Sequence, residues 1–174
     1  WAVAGSTLDV QGSLTVRGHI RTVGQFSTVK LADGTTYIHE RNTDQTYAND
    51  WDLGTGLVTF QNRWSNNGNI TLNGVVSGSG IMAIECNATR FVKLNNANNT
   101  FTGKYIVGSA NKPGAELQNF TGDSAYGPVP ASVVPDYFTL VNGGELKLNG
   151  FEINANRGIT LDGLGVIINN TGPT

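Results

Sequence analysis

The chain has 174 residues, 39% of them hydrophobic and 14% charged, with 23 Gly, one Met and one Cys. That length suits a single domain with one core, and abundant Gly, Asn and Thr with scarce charge argue against long helices and for a nearly all-β chain. A net charge of −2 leaves no electrostatic footprint for nucleic acid. No apolar run approaches the length of a membrane-spanning helix, and Cys86 has no second cysteine to bridge.

In chain order, Leu8, Val10, Leu14, Val16 and Ile20 give two short strands separated by Gly12 and ended by Gly18, read as the first coils of a solenoid. Val29 and Leu31 form the next strand before the Asp33-Gly34 turn, and the pattern returns at Ile70 and Leu72 and, beyond a Gly78-Ser79-Gly80 corner, at Ile81 to Ile84. Phe91 and Lys93 alternate with Val92 and Leu94, as Tyr105 and Val107 alternate with Ile106, and each run stops at Gly or Asn. Asn95, Asn96, Asn98 and Asn99 suit tight corners, because Asn tolerates the left-handed region and its amide bonds to nearby backbone. Prolines at 113, 128, 130 and 135 cannot donate to a ladder, so a lateral excursion is expected over residues 111–136. Strands resume at Phe138, with Leu146, Leu148, Phe151, Ile153, Ile159, Leu161, Val166 and Ile168 expected to face inward. Such short strands with frequent breakers predict a single-domain, all-β parallel β-helix over residues 1–174, right-handed by the general preference for parallel crossovers. Its open end rungs require covering by the chain's own irregular segments, or the module is cut from a longer stack.

The stretch GVVSGSGI, the strand after it and the corner Asn98-Asn99-Thr100-Phe101-Thr102-Gly103 resemble the autotransporter-associated β-strand repeat. The block from Gly122-Asp123 to LVNGGELKLNGFEINANRGITLDGLGVI, with Asn154-Ala155-Asn156-Arg157-Gly158-Ile159, is similar to the segment that often follows such repeats. Together the two blocks cover over half the chain. The resemblance implies an extracellular spacer or adhesin built as a parallel β-helix, and a corner role for Arg157. Residues 35–67 depart from the pattern, being richer in aromatic and charged residues, and are the candidate for a site.

Catalysis finds little support. Asp50 and Asp52, flanking Trp51, are the nearest approach to a paired carboxylate for glycoside cleavage. His19 and His39 lack a Ser or Cys nucleophile partner, and neither a C-x-x-C nor a His-rich spacing exists to hold a metal, so no cofactor is expected. Cys86 reads as a small buried hydrophobe. Binding of a neutral polysaccharide needs less: flat rings against sugar C–H faces, and amides, carboxylates or guanidinium groups for the hydroxyls. Tyr37, Tyr47, Trp51 and Trp64, with Glu40, Arg63 and Asp50, supply that set. The competing reading has the Trp rings closing the end of the hydrophobic cylinder.

The function expected from these residues is a non-catalytic carbohydrate-binding module for a plant cell-wall polysaccharide, xylan as the ligand class. It would be secreted, and linked to a bacterial glycoside hydrolase in its parent protein. The alternative is a structural or adhesive passenger segment of an autotransporter-like surface protein. Exposed rings along one face favour the first; buried rings favour the second.

Overall fold

The structure is a computed structural model that describes residues 3–17, 25–64, 66–87 and 89–169. The expectations for Gly18, His19 and Ile20 lie outside the described residues. The chain winds as a parallel β-helix whose second, third and fourth coils visit three sheets in the order A, B, C. The first coil contributes β1 (Val3–Val10) to sheet A and β2 (Leu14–Arg17) to sheet B. The second gives β3 (Phe26–Leu31), β4 (Thr36–Glu40) and β5 (Gln45–Tyr47); the third gives β6 (Asp50–Asp52), β7 (Leu57–Asn62) and β8 (Ile70–Leu72). The fourth gives β9 (Val76–Ser77), β10 (Ile81–Glu85) and β11 (Phe91–Leu94). Sheet A then stops, and the last three coils add to sheets B and C alone: β12 (Lys104–Val107) with β13 (Glu116–Asn119), β14 (Val134–Val141) with β15 (Gly144–Leu148), and β16 (Arg157–Asp162) with β17 (Gly165–Asn169).

Period-two alternation turns this stack into a core, because parallel registration places inward residue on inward residue. On sheet B one column runs Leu14, Tyr37, Phe60, Ile84, Val107, Leu140, Leu161. On sheet C another runs Ile70, Val92, Leu117, Leu146, Ile167. The register corrects one expectation: Ile167, paired with buried Leu146, is the inward residue of β17, so Val166 and Ile168 face out beside Glu145 and Lys147. The excursion expected over 111–136 is smaller than its prolines implied. It keeps β13 and a 3-10 turn at Asp123–Tyr126, and Pro135 falls where the β14–β16 register shifts between Val134 and Phe138. A residue without an N–H cannot carry the ladder through, so a bulge forms there.

The corners are stitched from coil to coil by short acidic and amide side chains. Asp33 Oδ1 accepts the N–H of Leu57 at 2.7 Å, Asp44 Oδ1 that of Asn69 at 2.9 Å, and Asp50 Oδ1 that of Val75 at 2.7 Å. Asn62 and Asn69 repeat the bond one coil on, to the N–H groups of Asn87 and Phe91 at 2.8 and 3.1 Å. Each such acceptor satisfies a backbone donor that leaves the ladder at a turn.

Glycine marks where coils touch most closely. A Cβ on Gly80 would lie 1.9 Å from the carbonyl oxygen of Gly56, and one on Gly103 1.9 Å from that of Gly80. These are backbone atoms with no flexible end to yield, so Gly80→Ala is expected to destabilise by about 3 kcal/mol. Gly12→Ala, where nothing lies within 4 Å, should change stability by less than about 0.5 kcal/mol; a urea titration of the two variants separates them.

Candidate functional site

Trp51 is the middle residue of β6, between Asp50 and Asp52, and alternation turns the ring in and the carboxylates out. The ring is wholly buried and sits in the column Val29, Trp51, Val76. Tyr37 and Tyr47 come in from sheets B and C at 5.4 and 5.6 Å between centroids, with Phe60 at 5.6 Å. The two tyrosines join hydroxyl to hydroxyl at 2.6 Å. Burial pushes both phenols above their ordinary value, and Tyr37 further through its bond to Tyr47. Tyr37, Tyr47 and Trp51 are therefore core residues. The expectation that they present flat faces to a sugar is corrected: a ring with no accessible face cannot stack on a ligand. Asp50, expected to bind hydroxyls, is engaged with the Val75 N–H.

The other three residues of the expected set are brought together. The pairing of β4 with β7 aligns His39 with Asn62, which puts Glu40 beside Arg63 on the next coil at the corner leading to sheet C. Arg63 donates to Glu40 Oε1 at 2.6 Å, and its guanidinium lies 5.5 Å from the centroid of Trp64. Trp64 is 58% exposed. Asn67 fixes the turn beneath it, taking the Trp64 N–H on Oδ1 at 2.8 Å and giving its own N–H to the Trp64 carbonyl at 3.0 Å. Lys112 reaches the same corner from two coils on, bonding Asn87 Oδ1 at 3.0 Å and the Asn62 carbonyl at 3.4 Å. What this corner offers chemically is one aromatic edge with an ion pair at its side, a contact point for a polar ligand rather than a cleft.

Inside the same corner His39 is fully buried. Its Nε2 lies 3.3 Å from the Thr43 carbonyl, and Nδ1 has no partner. Burial holds its pKa below the ordinary value and nearby Arg41 adds to this, against the Thr43 carbonyl and Asp44. The folded state thus keeps His39 neutral while the unfolded chain takes up a proton near pH 6.5. Stability contributed by the neutral ring is present above that pH and declines as pH falls from 6.5 toward the folded pKa. The thermal midpoint should drop between pH 7.5 and 5.5, and His39→Gln should flatten that slope; an unchanged slope would place the titration elsewhere. Cys86 is also wholly buried, and desolvation pushes its thiol up to about 12, which makes it a core residue and not a nucleophile at neutral pH.

A second cluster escaped the sequence reading. Tyr105, Tyr126, Tyr137 and Phe138 pack edge and face within 4.8 to 5.8 Å at the far end of the cylinder. Arg157 enters it with its side chain fully buried, pairs Nε with Asp123 at 3.1 Å and donates Nη2 to the Gly127 carbonyl at 2.6 Å. Its guanidinium also lies 4.6 Å from the Tyr137 centroid. The corner role implied for Arg157 by the repeat resemblance is the one it plays. Beside this cluster a shallow groove of about 310 Å³ runs between Thr102, Lys104 and the Pro128–Ala131 segment, floored by Tyr137.

Among the described residues no three His, Cys, Asp or Glu side chains converge as metal ligands, and no helix is long and apolar enough to cross a membrane. Neither protein-family models, nor curated proteins, nor solved structures give a match to this chain.

Proposed function

We propose that the chain is a structural segment of an extracellular, autotransporter-like bacterial surface protein, a non-catalytic spacer built from stacked coils. The observation that carries this reading is where the rings go: Tyr37, Tyr47 and Trp51 are spent on the core, as a spacer requires. The acidic side chains support it too, since Asp33, Asp44 and Asp50 hold successive coils together and so are committed to the stack.

A second reading keeps one foothold. Trp64 is exposed, with Arg63 and Glu40 at its side, so a polysaccharide, xylan first among candidates, could be touched at that corner by a module linked to a glycoside hydrolase. Affinity electrophoresis in gels containing soluble xylans, β-glucans, mannans or pectins decides between the two. The spacer reading expects the chain to migrate unretarded in every gel. Retardation by one glycan that disappears in Trp64→Ala replaces it with the binding module.

A further inference from the structure

Five Asn-x-Thr tripeptides, the acceptor pattern for N-linked glycans, occur in the chain, at Asn69, Asn87, Asn98, Asn119 and Asn169. Four of these asparagines are committed to the stack through the very nitrogen that would carry a sugar. Asn69 Nδ2 donates to Asp44 Oδ1 at 3.0 Å, and Asn87 Nδ2 to the Asn62 carbonyl at 3.4 Å. Asn119 Nδ2 donates to the Gly122 carbonyl at 2.8 Å, and Asn169 Nδ2 to the Phe151 carbonyl at 3.2 Å. Asn119 is also fully buried. Asn98, by contrast, stands exposed on the corner between β11 and β12, and its carboxamide has no partner among the described residues. Its neighbours do the stitching there. Asn95 Nδ2 donates to Asn73 Oδ1 and Asn96 Nδ2 to the Asn73 carbonyl, each at 2.9 Å. Asn99 turns inward, accepting the Val76 N–H at 2.8 Å and donating to the Ala125 carbonyl at 2.7 Å. Asn96 Oδ1 takes the Asn98 N–H at 2.9 Å, which fixes the backbone of the corner and leaves the Asn98 side chain unspent.

We infer that Asn98 is the acceptor of an N-linked glycan. The donor is a glycosyl diphosphate, either a nucleotide sugar or a lipid-linked oligosaccharide. Asn98 Nδ2 forms a bond to the anomeric carbon as the bond from that carbon to the diphosphate oxygen breaks. The diphosphate leaves with the electron pair, and Nδ2 gives up one proton to the transferase. The acceptor pattern also requires the hydroxyl two residues on. Thr100 is exposed, its N–H is tied to the Val76 carbonyl at 2.9 Å, and its hydroxyl has no partner among the described residues. Both groups that a transferase must reach thus face water in the folded chain. A glycan on Asn98 leaves every bond of the corner in place, because none of them uses the Asn98 carboxamide. On Asn69 or Asn87 it would crowd the bonds that tie one coil to the next, and on Asn119 it would have to enter the core. This inference stands independently of the spacer reading, since it needs only the exposed corner.

Mass spectrometry of the protein recovered from the organism that encodes it tests this. Tryptic cleavage after Lys93 and Lys104 releases residues 94–104, which contain the Asn98 tripeptide and none of the other four. The expected result is one glycan on that peptide, localised to Asn98 by fragmentation. A single sugar there marks a nucleotide donor and a larger block a lipid-linked one; both support the inference. Expressed in the same organism, Thr100→Val should lose the glycan and Thr100→Ser should keep it. Both variants should hold the parent thermal midpoint, because the one bond that Thr100 brings to the corner runs through its backbone. A bare peptide overturns the inference. So does a glycan on any of the other four asparagines with Asn98 bare, or one on Asn98 that survives Thr100→Val.

Discussion

Trp51→Ala is expected to destabilise the fold by about 4 kcal/mol, within the range for emptying a large aromatic site. The ring fills the space between three sheets, and its neighbours Tyr37, Tyr47 and Phe60 come from three other strands, so no single backbone shift closes the cavity. Trp51→Phe should cost far less, under about 1.5 kcal/mol, because the buried indole N–H that it removes has no acceptor. Trp64→Ala should change stability by less than about 0.5 kcal/mol, since a ring 58% exposed leaves no void behind. Urea unfolding followed by far-ultraviolet circular dichroism gives all three values. A Trp64 variant that loses as much as the Trp51 variant would contradict the placement of both rings.

The second large effect is expected at Arg157. Replacing it with Ala removes a buried cation whose partners stay behind: the Asp123 carboxylate, 20% exposed, and the Gly127 carbonyl. Breaking a buried pair from one side costs about 3–5 kcal/mol, because the remaining charge loses its compensation in a low-dielectric site. Arg157→Lys should recover little of this, since a point ammonium cannot bond the carboxylate and the carbonyl while lying over the Tyr137 ring. Asp123→Asn combined with Arg157→Met should be milder than Arg157→Ala alone, as the double variant leaves neither charge of the pair behind. Hydrogen exchange would read the loss first in residues 123–137, which the guanidinium ties to the coil after them. A uniform loss across all coils would argue against so local a latch.

The stack itself was legible because its physics is written at short range. Two-residue alternation broken by Gly and Asn recurs through β10, β11 and β12, and strands so short cannot bury both faces except against neighbouring coils. The site was not legible, for a reason visible in β4. In Thr36-Tyr37-Ile38-His39-Glu40 the inward positions are Tyr37 and His39, and the outward one is Ile38, so hydropathy points the wrong way across the strand. Ring size says nothing about which face a ring takes. Asp50-Trp51-Asp52 did carry the answer, because strict alternation of charge around a lone Trp places the carboxylates in water and the indole in the core. Arg63 and Trp64 are neighbours in sequence and stand with Glu40 in the expected set, but the ion pair that brings Glu40 to them comes from the β4–β7 register, which leaves no local trace. Arg157 with Tyr126 and Tyr137 was hidden in the same way, by the return of the chain after the Pro-rich segment.

The end of sheet A after β9 divides the cylinder lengthwise into two kinds of wall. Sheets B and C repeat coil after coil in fixed register, whereas the third side is built in its later part from turns and a 3-10 segment held by side chains. The chain travels much further between Tyr105 and Phe138 than between Leu140 and Leu161, yet each pair meets in register on the same wall. Extra length is thus taken up outside the two repeating sheets. Insertions and deletions of whole segments can accumulate along that side while the dimensions of the other two stay constant, as bricks of unequal depth can share one flush face.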